Sequence, residues 1–449
     1  MFGVYAFIKR HAVLTSVVLV AVIAAEGAYI WAQRAAQSKI IEELTRPGAL
    51  SDSIILTATE TKESFFERRD RFRVTLASSL FSSDPSQPPL TVDVDVVASF
   101  TPLGLSGDIY PLNRTPSTVK LLAALEGIHP KLSIRYAFSL LRNRLSVYAK
   151  ADPFDMRLAQ FELGVGLMRW HLVADKPVVF KGDFGLEDAV ATISAKNLRL
   201  EVNDPAGYKL GASVEEAELT NVYRTQPRAD ALVWTLASSE SRSDRAAFWV
   251  GDWRGAFNAQ LEGVRSRGKQ TADAASDALN GHYDFAADRA DFTMRSRRFL
   301  KEDLAVRLDA IKADWTAENV PLALMEPIDD IALERILRRV GLMELKLKEL
   351  TFRSGTQKGS LAASVVAGYK DGADPVLKAE LSAHLPESTA AFLDVMMRGN
   401  RRAFSDIHLL DFMRREVHGG EVCYLADFAY DLAEDDARRW LFNRRAPAR

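Results

Sequence analysis

Hydrophobic and polar positions change rhythm three times along this chain. Residues 12–32 read AVLTSVVLVAVIAAEGAYIWA, with Glu26 the one acidic side chain and Tyr29 and Trp31 at the end. About twenty apolar residues is the length a helix needs to cross a bilayer core, and Tyr and Trp favour its boundary. The pattern predicts a retained transmembrane helix over 12–32, after a short cytoplasmic N-terminus over 1–11. A cleaved signal peptide fits less well, because apolar character continues past the weak small-residue site at Ala25-Glu26-Gly27. Residues 33–47 carry Ile40, Ile41 and Leu44 at helical spacing and stop at Pro47-Gly48, which predicts a short stalk. Lys9 and Arg10 precede the span, whereas Arg34 and Lys39 after it are diluted by Glu42 and Glu43. That bias orients the chain as a single-pass inner (plasma) membrane protein with a periplasmic body. Such an anchor and stalk face lipid, so the body is expected to fold without them.

From Ser53 the period becomes two. Ser53–Lys62, Arg71–Leu80 and Leu90–Phe100 alternate apolar with polar residues and are rich in Val, Ile and Thr, the signature of half-buried strands. The same alternation returns between Leu132 and Thr316, and again in Leu345–Arg353, Leu361–Tyr369 and Val376–Ala383. It gives the sheet one dry and one wet face, with Val94, Val96, Leu345 and Leu347 on the dry side. Helical spacing appears in Ser117–Ile128, Pro153–Leu163, Pro327–Val340, Ser388–Arg398 and Arg402–Val417, and the tail after Glu421 fits either period. The expected fold is α+β: one N-terminal transmembrane helix, a large mostly antiparallel β-sheet body, and helices toward the C-terminus. The expected division is a β-rich periplasmic domain over 48–316 and an α+β C-terminal region over 317–449, with the boundary near Ala317–Leu324.

Composition narrows function by exclusion. A net charge of −2 over 449 residues argues against whole-molecule attraction to nucleic acid. The single cysteine, Cys423, has Glu421 and Asp427 as neighbours and reads as buried and inert, since a reactive thiolate needs basic company. Lys181-Gly-Asp-Phe-Gly185 contains kinase letters without a Gly-rich loop or an HRD loop, and reads as a turn between strands. Ser117-Thr-Val-Lys120 and Ser266-Arg-Gly-Lys269 match an acyl-enzyme pattern whose KTG companion is missing. Gly164-Val-Gly166 lacks the third glycine of a dinucleotide site. Histidines 11, 129, 171, 282, 384, 408 and 418 show no converging ligand spacing. Asp93 and Asp95 share one strand face at a separation glycosidases use, and read more plainly as a solvated edge. The basic run Arg295–Arg298 with Lys301, and the C-terminal arginines, read as solvent-facing. No catalytic, cofactor-binding or metal-ligating residue is singled out, and no cofactor is expected.

The segment RFRVTLASSLFSS, soon after the apolar run, resembles the YdgA-like family of bacterial proteins of unknown function, through Leu80-Phe81-Ser82-Ser83. Ser79 stands where that family's phrase has glycine, and the C-terminal helices and Arg-rich tail depart from its pattern. The resemblance implies an inner-membrane-anchored periplasmic protein and brings no catalytic residues. The expected function is a non-enzymatic, membrane-anchored envelope protein whose open sheet binds lipid or another apolar ligand. The alternatives are a periplasmic scaffold or assembly factor holding a protein partner on the same surface, and a hydrolase with a dispersed site.

Overall fold

The computed structural model describes residues 30, 34–35, 37–39, 41–42, 45, 54–76, 89–101, 104–112, 125–128, 130–139, 142–162, 167–204, 207–228, 231–252, 255–273, 278–296, 303–321, 341–370, 374–399, 409–418, 420–434 and 440–442. Strands take 81% and helices 8% of it, which makes the fold nearly all antiparallel β and corrects the α+β expectation. Period-two alternation prevails even where helical spacing also fits. Pro153–Leu163 is the strand Phe154–Glu162, and the end of Arg402–Val417 is a 3-10 turn, Leu409–Phe412, followed by the strand Arg414–His418. The expected helix Ser117–Ile128 ends instead in the strand Leu125–Ile128. Residues 117–124, 322–340 and 400–408 lie outside the described residues, as does 77–88 with the family-like Leu80–Ser83.

The chain divides into two compact units, residues 1–169 with 179–186, and residues 170–178 with 187–449. The first contains β1 (Ile54–Glu63), β2 (Glu67–Leu76), β3 (Leu90–Thr101), β4 (Gly104–Pro111), β5 (Leu125–Ile128), β6 (Leu132–Ser139), β7 (Arg144–Ala151) and β8 (Phe154–Glu162). Next come β9 (Leu167–Ala174) and β10 (Val178–Phe184). The first unit's sheet runs β1-β2-β3-β4-β6-β7-β10, with β5 and β8 paired to each other. One face carries Phe72, Ala98, Phe100, Leu105 and Phe138, and the helical residues Ile30, Arg34 and Ser38 contact it. Ile30 is 3% exposed against Ala98, Phe100 and Leu105. Arg34 lies over the Phe100 ring and donates to Glu63 at 2.9 Å, and Gln37 is buried.

These contacts bear on the expected anchor. Among the described residues no helix is long and apolar enough to cross a membrane. Of residues 12–32 only Ile30 is described, and its side chain is packed on protein. The single-pass inner-membrane placement with a periplasmic body is therefore not supported. Of the described residues of the expected stalk, Arg34 and Ser38 contact the sheet, through Glu63, Phe100 and Arg68. Run length sees an apolar side chain at Ile30 without seeing that a sheet face is there to bury it.

The second unit contains β11 (Asp188–Ala195), β12 (Leu198–Asn203), β13 (Lys209–Glu215), β14 (Ala217–Arg228), β15 (Ala231–Gly251), β16 (Gly255–Asp273) and β17 (Ala278–Ser296). It continues with β18 (Leu304–Pro321), β19 (Leu342–Ser354), β20 (Gln357–Lys370), β21 (Asp374–Pro386), α1 (Glu387–Gly399), β22 (Arg414–His418), β23 (Glu421–Asp431) and β24 (Trp440–Phe442). Strands β14 through β21 form an antiparallel meander, extended by β23 and β24. Ala317–Pro321, the start of the expected boundary, lies within β18, which pairs with β19.

A row of bulges crosses the long strands. The positions Asp244, Gly263, Asp288 and Ala310 are left out of the pairing without a change of register, and the register itself shifts between β18 and β19 at Asp309–Lys312 and between β19 and β20 at Leu347–Leu350. Gly263 and Ala310 there have φ of 62° and 52°. One extra residue in a strand exchanges its two faces. Here it keeps the apolar set together: Phe285 and Ala287 give way to Ala290 and Phe292, Ile311 to Leu308, and Leu347 to Leu350 and Phe352.

α1 covers that set. Pro386 closes β21, Glu387 places an anion in the first turn where the helix dipole favours it, and Gly399 ends the helix. Its buried face brings Ala390 to Ala287, Phe352 and Leu385, and Phe392 to within 6.1 Å of the Phe292 ring and 6.5 Å of Phe257.

Candidate functional site

Past Ala287 and Ile311 the dry face continues without α1. Trp315 lies opposite Leu347, Leu345 opposite Ala317 and Val365, and Leu377 opposite Ala367, two positions from the partner of Val365. Register therefore sets Trp315, Leu345, Val365 and Leu377 on one diagonal across four strands, all on the face that holds Phe352 and Leu385 farther down. Their exposures are 48%, 47%, 38% and 38%. Tyr283 extends the patch to β17, with its ring edge-on to Trp315 at 5.8 Å and its hydroxyl accepting from Gln270 at 2.7 Å. Scattered single apolar residues are ordinary on a surface, whereas a contiguous apolar patch marks a place where something binds. The sequence expectation put Leu345 and Leu347 on the dry side, and the register does so; Leu345 is nonetheless half exposed.

The opposite face of the same strands is charged. His282 and Asp284 are two apart on β17, and Asp314 of β18 lies directly across from Asp284. The imidazole stands 3.5 Å from each carboxylate, Nε2 toward Asp284 and Nδ1 toward Asp314. Spacing along the sequence did not bring these groups together, because Asp314 joins the pair only through strand register. The i, i+2 placement of His282 and Asp284 on a strand was the available signal.

In the first unit the structure corrects the reading of Asp93 and Asp95 as a solvated edge. β3 is an interior strand between β2 and β4, and the two residues are 3% and 0% exposed. Arg73 donates to Asp93 at 2.9 Å, and Arg69 and Arg71 both donate to Asp95. Burial by itself raises the Asp95 carboxyl, and the hydrogen bonds from Arg71 and Arg69 outweigh it, leaving it below the usual carboxylate range. Two carboxylates each held by arginine are structural ties rather than an acid and base pair. On the other face Asp70 is 1% exposed, gripped by Arg68 at 2.8 Å and by the Thr61 hydroxyl at 2.8 Å. Burial, with Asp70 and Asp108 near, raises the Tyr136 hydroxyl far above its ordinary value.

The remaining motifs do not assemble. Lys181 to Phe184 belong to β10 and its end, where a Cβ on Gly182 would strike the Phe184 and Phe180 rings, so the glycine answers packing. Ser266 and Lys269 fall on opposite faces of β16, which separates the proposed nucleophile from its base. Cys423 is half-buried on β23, with its thiol 3.8 Å from the Glu416 carbonyl. Arg295 is paired with Asp303 at 2.7 Å. Ser117–Lys120, Gly164–Gly166, Lys301 and the arginines from 438 onward lie outside the described residues.

No family model, curated protein or solved structure matches the chain.

Proposed function

We propose that this chain is a non-enzymatic binding protein whose uncovered dry face takes a lipid or another apolar ligand. The observation that supports it is the diagonal Trp315–Leu345–Val365–Leu377, four half-exposed apolar side chains that continue a face elsewhere buried under α1. Small-molecule sites are mostly apolar with few polar groups, and here the polar handle is the Tyr283 hydroxyl with Gln270. The aromatic and branched side chains stand on paired strands, so the surface is formed before a ligand arrives and little ordering entropy opposes binding.

The test is titration of the full chain with a fluorescent long-chain fatty acid, alongside native mass spectrometry for co-purified lipid. The wild type is expected to bind the probe, and Leu345→Thr with Val365→Thr to weaken binding more than tenfold. A wild type that neither binds probe nor carries lipid overturns the reading. Co-purification of a protein in place of lipid favours the scaffold alternative. Residues 322–340, outside the described ones, join β18 to β19 in the sequence, and their pattern sets Leu333 and Leu337 on one side of a helix. Probe binding that appears only after Leu333→Ser and Leu337→Ser identifies this segment as the cover, and likewise overturns a ligand site.

A further inference from the structure

We propose a divalent transition-metal site, of the kind zinc fills, formed by His282, Asp284 and Asp314 on the charged face of β17 and β18. One ligand atom from each residue lies within 4.8 Å of the other two. The nearer separations, 3.5 Å from the imidazole to each carboxylate, match donors sharing one cation: metal bonds of about 2.0–2.2 Å at tetrahedral angles put neighbouring donors roughly 3.4 Å apart. A mixed imidazole and carboxylate set suits zinc over calcium or magnesium, which take oxygen alone.

A second observation separates this trio from an ordinary surface ion pair. Asp314 Oδ1 has lost its contact with solvent and accepts no hydrogen bond, although His282 Nδ1 is 3.5 Å away and Lys348 Nζ 3.7 Å away. The Asp314 side chain is 41% exposed, but this oxygen is turned in toward His282 with no hydrogen bond, where a cation closer than either neighbour would serve it. The backbone holds the geometry ready. Asp284 and Asp314 are directly paired residues of adjacent strands, and His282 is the next residue on the same face. Access is open along a groove of about 680 Å³ that Asp284 and Asp314 line together with Arg267, Lys312 and Glu349. Lys348 is the built-in competitor, a positive charge that partly serves Asp314 when no metal is present.

This site lies on the opposite face from the apolar patch, so its test stands apart from that of the proposed function. The full chain, stripped with chelator, is titrated calorimetrically with zinc at neutral pH, and with cobalt to read the visible absorption of a nitrogen and oxygen ligand set. One site per chain is expected. His282→Ala and Asp314→Asn should each weaken it more than tenfold and remove the cobalt spectrum, while Lys348→Met, which deletes no ligand, should tighten it. Zinc affinity unchanged in both ligand variants, or no binding by the wild type, overturns the proposal. If a ligand variant fails to fold, Lys348→Met still decides: affinity that does not rise places the metal away from Asp314.

Discussion

The two ends of the meander differ in what lies over the same face. On one side of the bulge row, Phe352 and Leu385 are 5% and 2% exposed beneath α1 and its neighbours. On the other, Trp315 and Leu345 are 48% and 47% exposed on the continuation of the same strands. Both ends have the alternation, the hydrogen-bonded pairing and the apolar residue types of a sheet core. Alternation thus specifies which way a side chain points, and a separate element decides whether it is buried. The covered end supplies stability and the uncovered end supplies surface. That division is why binding is assigned to one end of a continuous face.

The comparison breaks most readily at Phe352. Its ring lies over Gly359, where any added Cβ would collide with it, and it faces the α1 cluster from the strand side. Phe352→Ala leaves a cavity that interlocked strands cannot close, with an expected cost of about 3–5 kcal/mol in denaturant unfolding. A loss below about 1 kcal/mol would show that α1 does not hold this end as a core.

The bulge row is the next test, with a smaller effect. Gly263 has φ of 62°, and a Cβ there would meet the Asp288 carboxylate. Gly263→Ala is expected to cost about 1–2 kcal/mol from the left-handed backbone alone. Ala310, already at φ 52° in the same row, gives the reverse sign. Ala310→Gly relieves that strain against the larger entropy of an unfolded glycine, for a net gain of about 0.5–1 kcal/mol. Thermal unfolding of the two variants with matched signs would show that the bulge row is not pinned at these positions.

Much of the strand content was legible. Leu345–Arg353 sits within β19, and Ser388–Arg398 within α1, because both carry unmixed periods and clear end signals. The first and last apolar runs misled for one reason: a local pattern is silent on long-range partners. Ile30 looks like a lipid-facing residue until Phe100 is beside it, and Val417 looks helical until Val422 pairs with it. Asp93 and Asp95 looked solvated because β2's arginines, some twenty residues earlier, could not be placed opposite them. The histidine and two aspartates were invisible together for the same cause, since register, with its bulges, is a property of pairs of strands.

The smallest stability effect carries the sharpest reading of the comparison. Leu345→Thr puts a β-branched residue of high strand propensity on the strand, so propensity is preserved while apolar surface is removed. Leu345 is 47% exposed and its cross-strand neighbours Ala317 and Val365 remain paired through backbone. Its change in unfolding free energy should therefore stay within about 0.5 kcal/mol, the range of surface substitutions. Probe affinity should fall all the same, because the diagonal from Trp315 to Leu377 loses its centre. Stability and binding then separate at Leu345, where at Phe352 only stability moves. A loss at Leu345 as large as the one at Phe352 would mean that this end is also a buried core in solution, covered by chain or by partner, and the distinction between the two ends would collapse.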